Sequence, residues 1–346
     1  MKGPRLLIKI ILVTTLTAIV VAGILFYSYV YAPNVILEPK EQTHLHIPSG
    51  STYDDVLKLL EEHDFLRHPE RFHWLAVRKN YPNRIMAGRY LIVDGMSNNE
   101  LINLLRSGDQ SPVRLTFHNI RTKEELAGRI AAQIEADSAE IRNVLGCQET
   151  LSNIGMDTLT IKLLFIPNTY EVFWNTSAEQ FLQRMQREYN AFWSEPRKQR
   201  AEEIGLSEEE VGVLASIVQS ETNKREEMAR IAGVYMNRLR RNIPLQADPT
   251  VIYAKGDFSI RRVLNRHLEI DSPYNTYMYA GLPPGPINFP APHVMDAVLY
   301  YEDHDYLYFS AKADFSGYHV FAKSYADHLA NARKYRRALD ERNVFR

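Results

Sequence analysis

A chain of 346 residues is long enough for two or three modest domains, and 45% hydrophobic with 24% charged residues is the composition of a globular protein. A formal net charge of −1 excludes a global electrostatic pull toward nucleic acid or anionic lipid, so any binding has to be local. The one cysteine, Cys147, cannot close an intramolecular disulfide or supply a CxxC redox or zinc motif, and is expected to be a small buried hydrophobe.

Residues 10–30 carry no charge and follow Lys2, Arg5 and Lys9. That length suits one membrane crossing, and basic residues on the short N-terminal side, with Lys40 the first beyond the stretch, put the N-terminus in the cytoplasm. A cleaved signal peptide is the rival reading. The stretch is longer than a typical h-region, and the small residue Ala32 is followed by Pro33, a poor context for a peptidase. The expectation is a cytoplasmic segment 1–9, a transmembrane helix 10–31 and a short extended linker 32–40, with everything beyond residue 31 outside the cytoplasmic membrane.

A weak repeat of strand, glycine, capping residue and helix follows. Its first copy runs from His44-Leu45-His46-Ile47 through Gly50 to Thr52, then Val56, Leu57 and Leu60 at helical spacing; Thr52 with Asp55 has the form of a capping box. The second runs from Tyr90-Leu91-Ile92-Val93 through Gly95 to Ser97, with Glu100 as the box partner and Leu101, Leu104 and Leu105 behind it. A third start lies at Leu115-Thr116-Phe117, with Thr122 and Glu125. Further apolar and aromatic helix is expected within 65–81, so residues 41–110 read as an α+β module. From Thr122 onward the pattern is mainly helical: 180–192, then 211–220 opened by Ser207 and Glu210, then 225–241 with Met228, Ile231, Tyr235 and Leu239 along one face. Two strands are expected at 306–311 and 317–321, around a turn at 314–316.

Seven residues return an α-helix to nearly the same direction, so Glu221 points where Leu214 points, on the buried stripe. Burial raises a carboxyl pKa, which is what a group needs to hold a proton near neutral pH and donate it to a leaving oxygen. The plain alternative is a helix-terminal Glu that curls out to solvent or pairs with Lys224 or Arg225. Asn237 and Arg238, then Gln246, Asp248 and Thr250, place polar groups in otherwise apolar sequence. Asp248 followed by Pro249 also reads as a simple helix N-cap. Two proline-stiffened loops, with Tyr274, Asn275 and Tyr277 in the first, suit sugars, because aromatic faces stack on pyranose C–H groups while amides and hydroxyls bond ring substituents. Simple loop packing would account for them too. The histidines include no HExxH and no tight pair on one helix, so neither a metal site nor a cofactor is expected.

Together these motifs resemble the MltG (YceG-like) endolytic murein transglycosylases over roughly residues 40–335. The resemblance is carried by Phe165-Ile166-Pro167-Asn168-Thr169-Tyr170, Ala215-Ser216-Ile217-Val218-Gln219-Ser220-Glu221-Thr222, Asn237-Arg238-Leu239, Leu245-Gln246-Ala247-Asp248-Pro249-Thr250, Ser272-Pro273-Tyr274-Asn275-Thr276-Tyr277, Gly281-Leu282-Pro283-Pro284-Gly285-Pro286-Ile287 and Gly317-Tyr318-His319-Val320-Phe321. It implies an α+β protein with a single anchor, a LysM-like βα module (41–110) and a mainly helical catalytic domain with a short sheet (111–346). It also implies Glu221 as the catalytic acid/base of a lyase that cuts the MurNAc–GlcNAc bond of nascent glycan with 1,6-anhydro ring closure. Asn237, Arg238, Gln246, Asp248, Thr250, Tyr274, Asn275, Tyr277 and His319 are the expected substrate contacts, with strand packing the alternative for His319. Peptidoglycan strands and peptidoglycan synthases are the expected partners. The chain departs from the family in Gln219, where Glu is common, in Asn288-Phe289-Pro290-Ala291 and in Tyr300-Tyr301. Gln219 is neither acid nor base, so a mechanism needing a second carboxylate there is in doubt. A non-catalytic murein-binding scaffold, or a hydrolase giving reducing ends, are the competing functions.

Overall fold

The computed structural model describes residues 3–38 and 41–341; Met1, Lys2, Pro39, Lys40 and residues 342–346 of the expected N-terminal segment, linker and C-terminal domain lie outside the described residues. It is a mixed protein of helices and small sheets. Helix α1 (Gly3–Val30) contains a 25-residue stretch, Leu6–Val30, of mean hydropathy 2.5 that is long enough to cross a membrane and is exposed along most of its length, with Val30 at its end buried. Beyond it the chain divides into two compact units.

The first unit comprises residues 1–114 with two later returns, 133–135 and 171–176. Strand β1 (Gln42–Ile47) leads into α2 (Tyr53–Glu62) and α3 (Pro69–Arg78), then β2 (Gly88–Val93) and α4 (Asn98–Ser107). Strands β1 and β2 pair antiparallel, from Gln42 opposite Val93 to Ile47 opposite Gly88. Both expected capping boxes form: the Thr52 and Ser97 hydroxyls accept from the N–H groups of Asp55 and Glu100, and each carboxylate accepts the cap residue's N–H in return. Leu45, Ile47, Val56, Leu60, Phe72, Tyr81, Tyr90, Ile92 and Leu105 make the core, each fully buried large side chain contributing roughly 1.5–3 kcal/mol. The segment before β1 is extended but packed. Asn34, Val35 and Leu37 are buried, and bridges join Pro33 to Ser97 and Val35 to Leu66. The returns are fixed by side chains: Glu135 accepts from the Ser49 N–H and hydroxyl, His46 meets Trp174 edge to face, and the Asn175 amide donates to the Ala87 carbonyl.

The second unit starts at Leu115. Strand β3 (Val113–Phe117) is joined in a two-stranded sheet by β4 (Asn168–Val172), between which lie α5 (Lys123–Ala131), α6 (Ser138–Gly146) and α7 (Gln148–Asn153). Then come α8 (Ala178–Phe192), α9 (Glu195–Ile204), α10 (Glu208–Glu221), α11 (Arg225–Arg240), α12 (Asp248–Lys255), α13 (Asn265–Leu268), α14 (Pro292–Leu299), the hairpin β5 (Tyr308–Ala311) and β6 (His319–Ala322), and α15 (Tyr325–Glu341). One expectation here needs correction. Cys147 is exposed, because it stands at the outward junction between α6 and α7. At α5 the Thr122 hydroxyl accepts from the Glu125 N–H, and the Glu125 carboxylate accepts from the Arg121 N–H.

Candidate active site

Every residue of α10 from Val211 to Val218 is buried, which makes it a core helix with packing on all sides. It begins where the Ser207–Glu210 capping box satisfies the first backbone donors and ends at Glu221, after which Thr222 turns extended. Ser216 ties this helix to the proline-rich loop: its hydroxyl accepts from the Ile287 N–H (3.0 Å) and its carbonyl from the Asn288 amide (2.8 Å). Gln219 completes the splint, donating to the Asn288 side chain and the Phe289 carbonyl and accepting from the Ala291 N–H.

The Glu221 carboxyl is thereby held in place. Its Oε1 accepts a hydrogen bond from the Tyr235 hydroxyl at 2.8 Å. Glu221 as a whole keeps some accessible surface, while protein crowds its carboxyl on most sides. Burial pushes its pKa up to about 7; the Tyr235 hydrogen bond works against this, and the negative charge of Asp248 adds to it. Near neutral pH the group is therefore about half protonated, able to give a proton and take one back. Tyr235 is itself buried on α11, edge-on to Phe309 (5.9 Å between ring centroids).

Asp248 is not the cap of α12. Ala247 takes that position and Asp248 the first helical turn, because the Asp248 carboxylate is engaged elsewhere, accepting from the Tyr277 hydroxyl at 2.6 Å. Burial and that acceptor push the Tyr277 phenol well up. Glu221, Tyr235, Asp248 and Tyr277 thus form one cluster drawn from α10, α11, α12 and the loop before Met278.

The other expected residues hold this cluster's supports. Buried Thr250 donates to the Ala247 carbonyl and meets the Thr276 hydroxyl at 2.9 Å, and the N–H of Gln246, at φ 52°, donates to the Thr276 carbonyl. Asn275 is fully buried and donates to the Leu268 and Ile270 carbonyls. Arg238 donates to the carbonyls of Leu307, Pro244 and Leu245 and to Gln246 Oε1, and Asn237 to the carbonyls of His304 and Tyr306. Earlier on the same helix α11, Gly233 leaves room for the 302–304 segment: a Cβ there would collide with the Glu302 carbonyl and the His304 ring. Tyr274 packs on Tyr253 (4.8 Å between centroids). The His319 N–H donates to Glu227 Oε1 (2.8 Å), its Nδ1 meets Glu227 Oε2 (2.9 Å), and its ring lies edge-on to Phe309.

Beside the cluster is a cavity of about 390 Å³ lined by Asn119, Arg121, Gln219, Asn223, Tyr253 and Asn288 among others. Glu221 is not in its lining, although its neighbours Gln219 and Ser220 are, so the carboxyl stands next to this hollow and outside it. Sequence reasoning missed Tyr235 and Glu227 as parts of the site. Tyr235 falls on the apolar face of its helix, where the one legible signal is a hydroxyl among aliphatic neighbours; Glu227 in a first helical turn looks like an ordinary dipole partner.

A model of the YceG-like family matches residues 45–334. The endolytic murein transglycosylase of Bacillus subtilis (strain 168) is 28% identical over 340 residues, covering 94% of this chain and 93% of that protein. The endolytic murein transglycosylase of Streptococcus pneumoniae serotype 2 (strain D39) is 27% identical over 341 residues, covering 88% of this chain but only 61% of that relative's length. Among solved structures, a YceG-like protein of Listeria monocytogenes aligns with a TM-score of 0.56 and 28% identity over 84% of this chain and 98% of that one. Since the family match extends from the first strand of the first unit to the last described helix, the chain belongs to the YceG-like family.

Proposed function

We propose that this protein is an endolytic peptidoglycan lytic transglycosylase with Glu221 as its single acid/base. The observation that carries the reading is a carboxyl with a pKa near 7, fixed by Tyr235 at the end of a buried helix. In its protonated form Glu221 gives a proton to the oxygen joining MurNAc to GlcNAc as that bond breaks. The resulting carboxylate then takes the proton of the sugar's own C6 hydroxyl, whose oxygen closes onto C1 to give the 1,6-anhydro end. No water enters and no second carboxylate is required, which accords with Gln219 being fully used as a splint. Asp248, next to Glu221, acts through its charge and through Tyr277.

The murein transglycosylase relatives support the substrate class. The apolar α1 supports a single-pass anchor in the cytoplasmic membrane with the rest of the chain outside it, where glycan is made and where peptidoglycan synthases would be its neighbours and strand termination its role. On this reading residues 41–110 are a LysM-like glycan-holding module and residues 111–346 the catalytic domain, with Tyr274, Tyr277 and His319 proposed among the sugar contacts. The test is muropeptide analysis of purified sacculi digested by the full chain. Anhydro-ended fragments that disappear with Glu221→Gln, with turnover down by roughly two to four orders of magnitude, are expected. Reducing ends would assign a hydrolase, and binding without any cleavage would assign a scaffold; either removes the lytic mechanism.

A further inference from the structure

Past the end of α12 the chain forms a second hollow, of about 550 Å³, with an unusual charge pattern. Lys255, Arg261, Arg262 and Arg266 line it, against one lining carboxylate, Asp257. That carboxylate already accepts from the Ser259 N–H (3.0 Å) and hydroxyl (2.6 Å). In a chain whose net charge is −1, this concentrates positive charge in one concavity, where the Arg266 Nε–H donates to His267 Nε2 (3.3 Å). Gathering like charges this way carries a self-repulsion that an anion would relieve. The same hollow is lined by Ile260, Leu264 and Ile270, so cationic and apolar groups alternate along it. Ile260 also lines the cavity beside Glu221, which makes the two hollows adjoin at one side chain.

We propose that this basic hollow is a subsite for the free carboxylates of the peptide stems borne by murein, and that it gives the enzyme a preference for stem-bearing over bare glycan. The inference rests on the murein reading above. A muramic residue in the first cavity would project its lactyl-linked stem past Ile260 into the second. There the guanidinium forks match carboxylates in a two-point geometry, and the isoleucine and leucine side chains match the methyl groups of alanine residues. A diphosphate would satisfy the cations but leave the apolar half of the lining without a partner.

The experiment measures binding by the full chain in detergent, in the Glu221→Gln background so that no strand is cut. Glycan oligomers with intact stems are compared with the same oligomers stripped by an amidase. The parent protein should bind the stem-bearing form more tightly. Arg261→Gln with Arg266→Gln, both on the surface, should weaken that binding by roughly three- to tenfold and leave bare glycan unchanged. Unchanged binding of bare glycan also reports that the variant is folded. Equal affinity of the parent for both oligomers, a preference that survives the double substitution, or a loss shared equally by both oligomers overturns the proposal. Competition by inorganic pyrophosphate but not by a soluble stem tetrapeptide would assign a phosphate site and overturn it too. The two readings fail separately: anhydro ends with no stem preference sink the subsite alone, and a stem preference without anhydro ends sinks the lytic chemistry alone.

Discussion

Glu221 acquires its proton affinity from its surroundings, and the same surroundings make it a cost to the fold. Below about pH 4.5 the group is protonated in folded and unfolded chains alike, and its burial carries no ionic penalty. Between there and about 7 the unfolded chain releases the proton while the folded one keeps it, so stability falls as pH rises, and above 7 the whole penalty is present. Glu221→Gln should therefore stabilise the fold at pH 8 by on the order of 1–3 kcal/mol, seen as a higher melting temperature, and have no effect near pH 4. A gain of equal size at both pH values would show that charge is not its source. Tyr235→Phe removes the donor that favours the carboxylate. The alkaline limb of the rate profile should then move up by about one pH unit, with a loss of rate of roughly tenfold, since a hydrogen bond to a charged group is worth about 1.5–3 kcal/mol. An unmoved limb would mean that Tyr235 only fills space.

The helices show how far local sequence carries. Five capping boxes among the described residues, at Thr52, Ser97, Asp137, Ser177 and Ser207, form because the partners lie three residues apart on the same chain, and of these the first two and the last were legible as pattern. The hairpin around residues 314–316 was legible for the same reason. Strand β4 was not: its burial alternates through Tyr170 and Val172, but it lies within a motif bounded by proline and asparagine, and its pairing with β3 depends on residues some fifty positions away. The site divides along the same line. The direction of Glu221 follows from helix geometry, whereas the Tyr235 contact, the Asp248–Tyr277 bond and the Glu227–His319 pair are tertiary. Gln219 illustrates the difference. From sequence it was a missing carboxylate, while in the fold it is a two-sided amide, donating and accepting at once, which a carboxylate cannot do. Gln219→Ala should cost about 1–3 kcal/mol in a denaturant titration and still leave anhydro products. Arg238→Leu, which strands several buried carbonyls, should cost more; similar midpoints for the two variants would contradict this bracing.

Taken as a whole, the molecule does not divide at one point in its chain. Residues 133–135 and 171–176 belong to the first unit although they follow its last helix, so a fragment beginning at Leu115 leaves Glu135, Trp174 and Asn175 without Ser49, His46 and Ala87. Limited proteolysis of such a fragment should cut first within 171–176, and the full chain should resist there; equal resistance would show that these segments hold their shape unaided. The way α1 ends bears on what an anchored form could reach. Its last turn is seated in the first unit: Val30 is buried, Tyr29 packs edge-on to Trp74, the Ser28 hydroxyl accepts from Arg71 and the Tyr29 carbonyl from Asn98. On the anchor reading there is no swivel between bilayer and protein at this junction. The first unit would ride at one altitude and one tilt, sweeping a layer parallel to the lipid as the anchor diffuses, so that a strand's eligibility would depend on its depth in the wall. Inserting ten Gly/Ser residues after Tyr31 would turn that layer into a volume, and the lengths of released glycan should then spread.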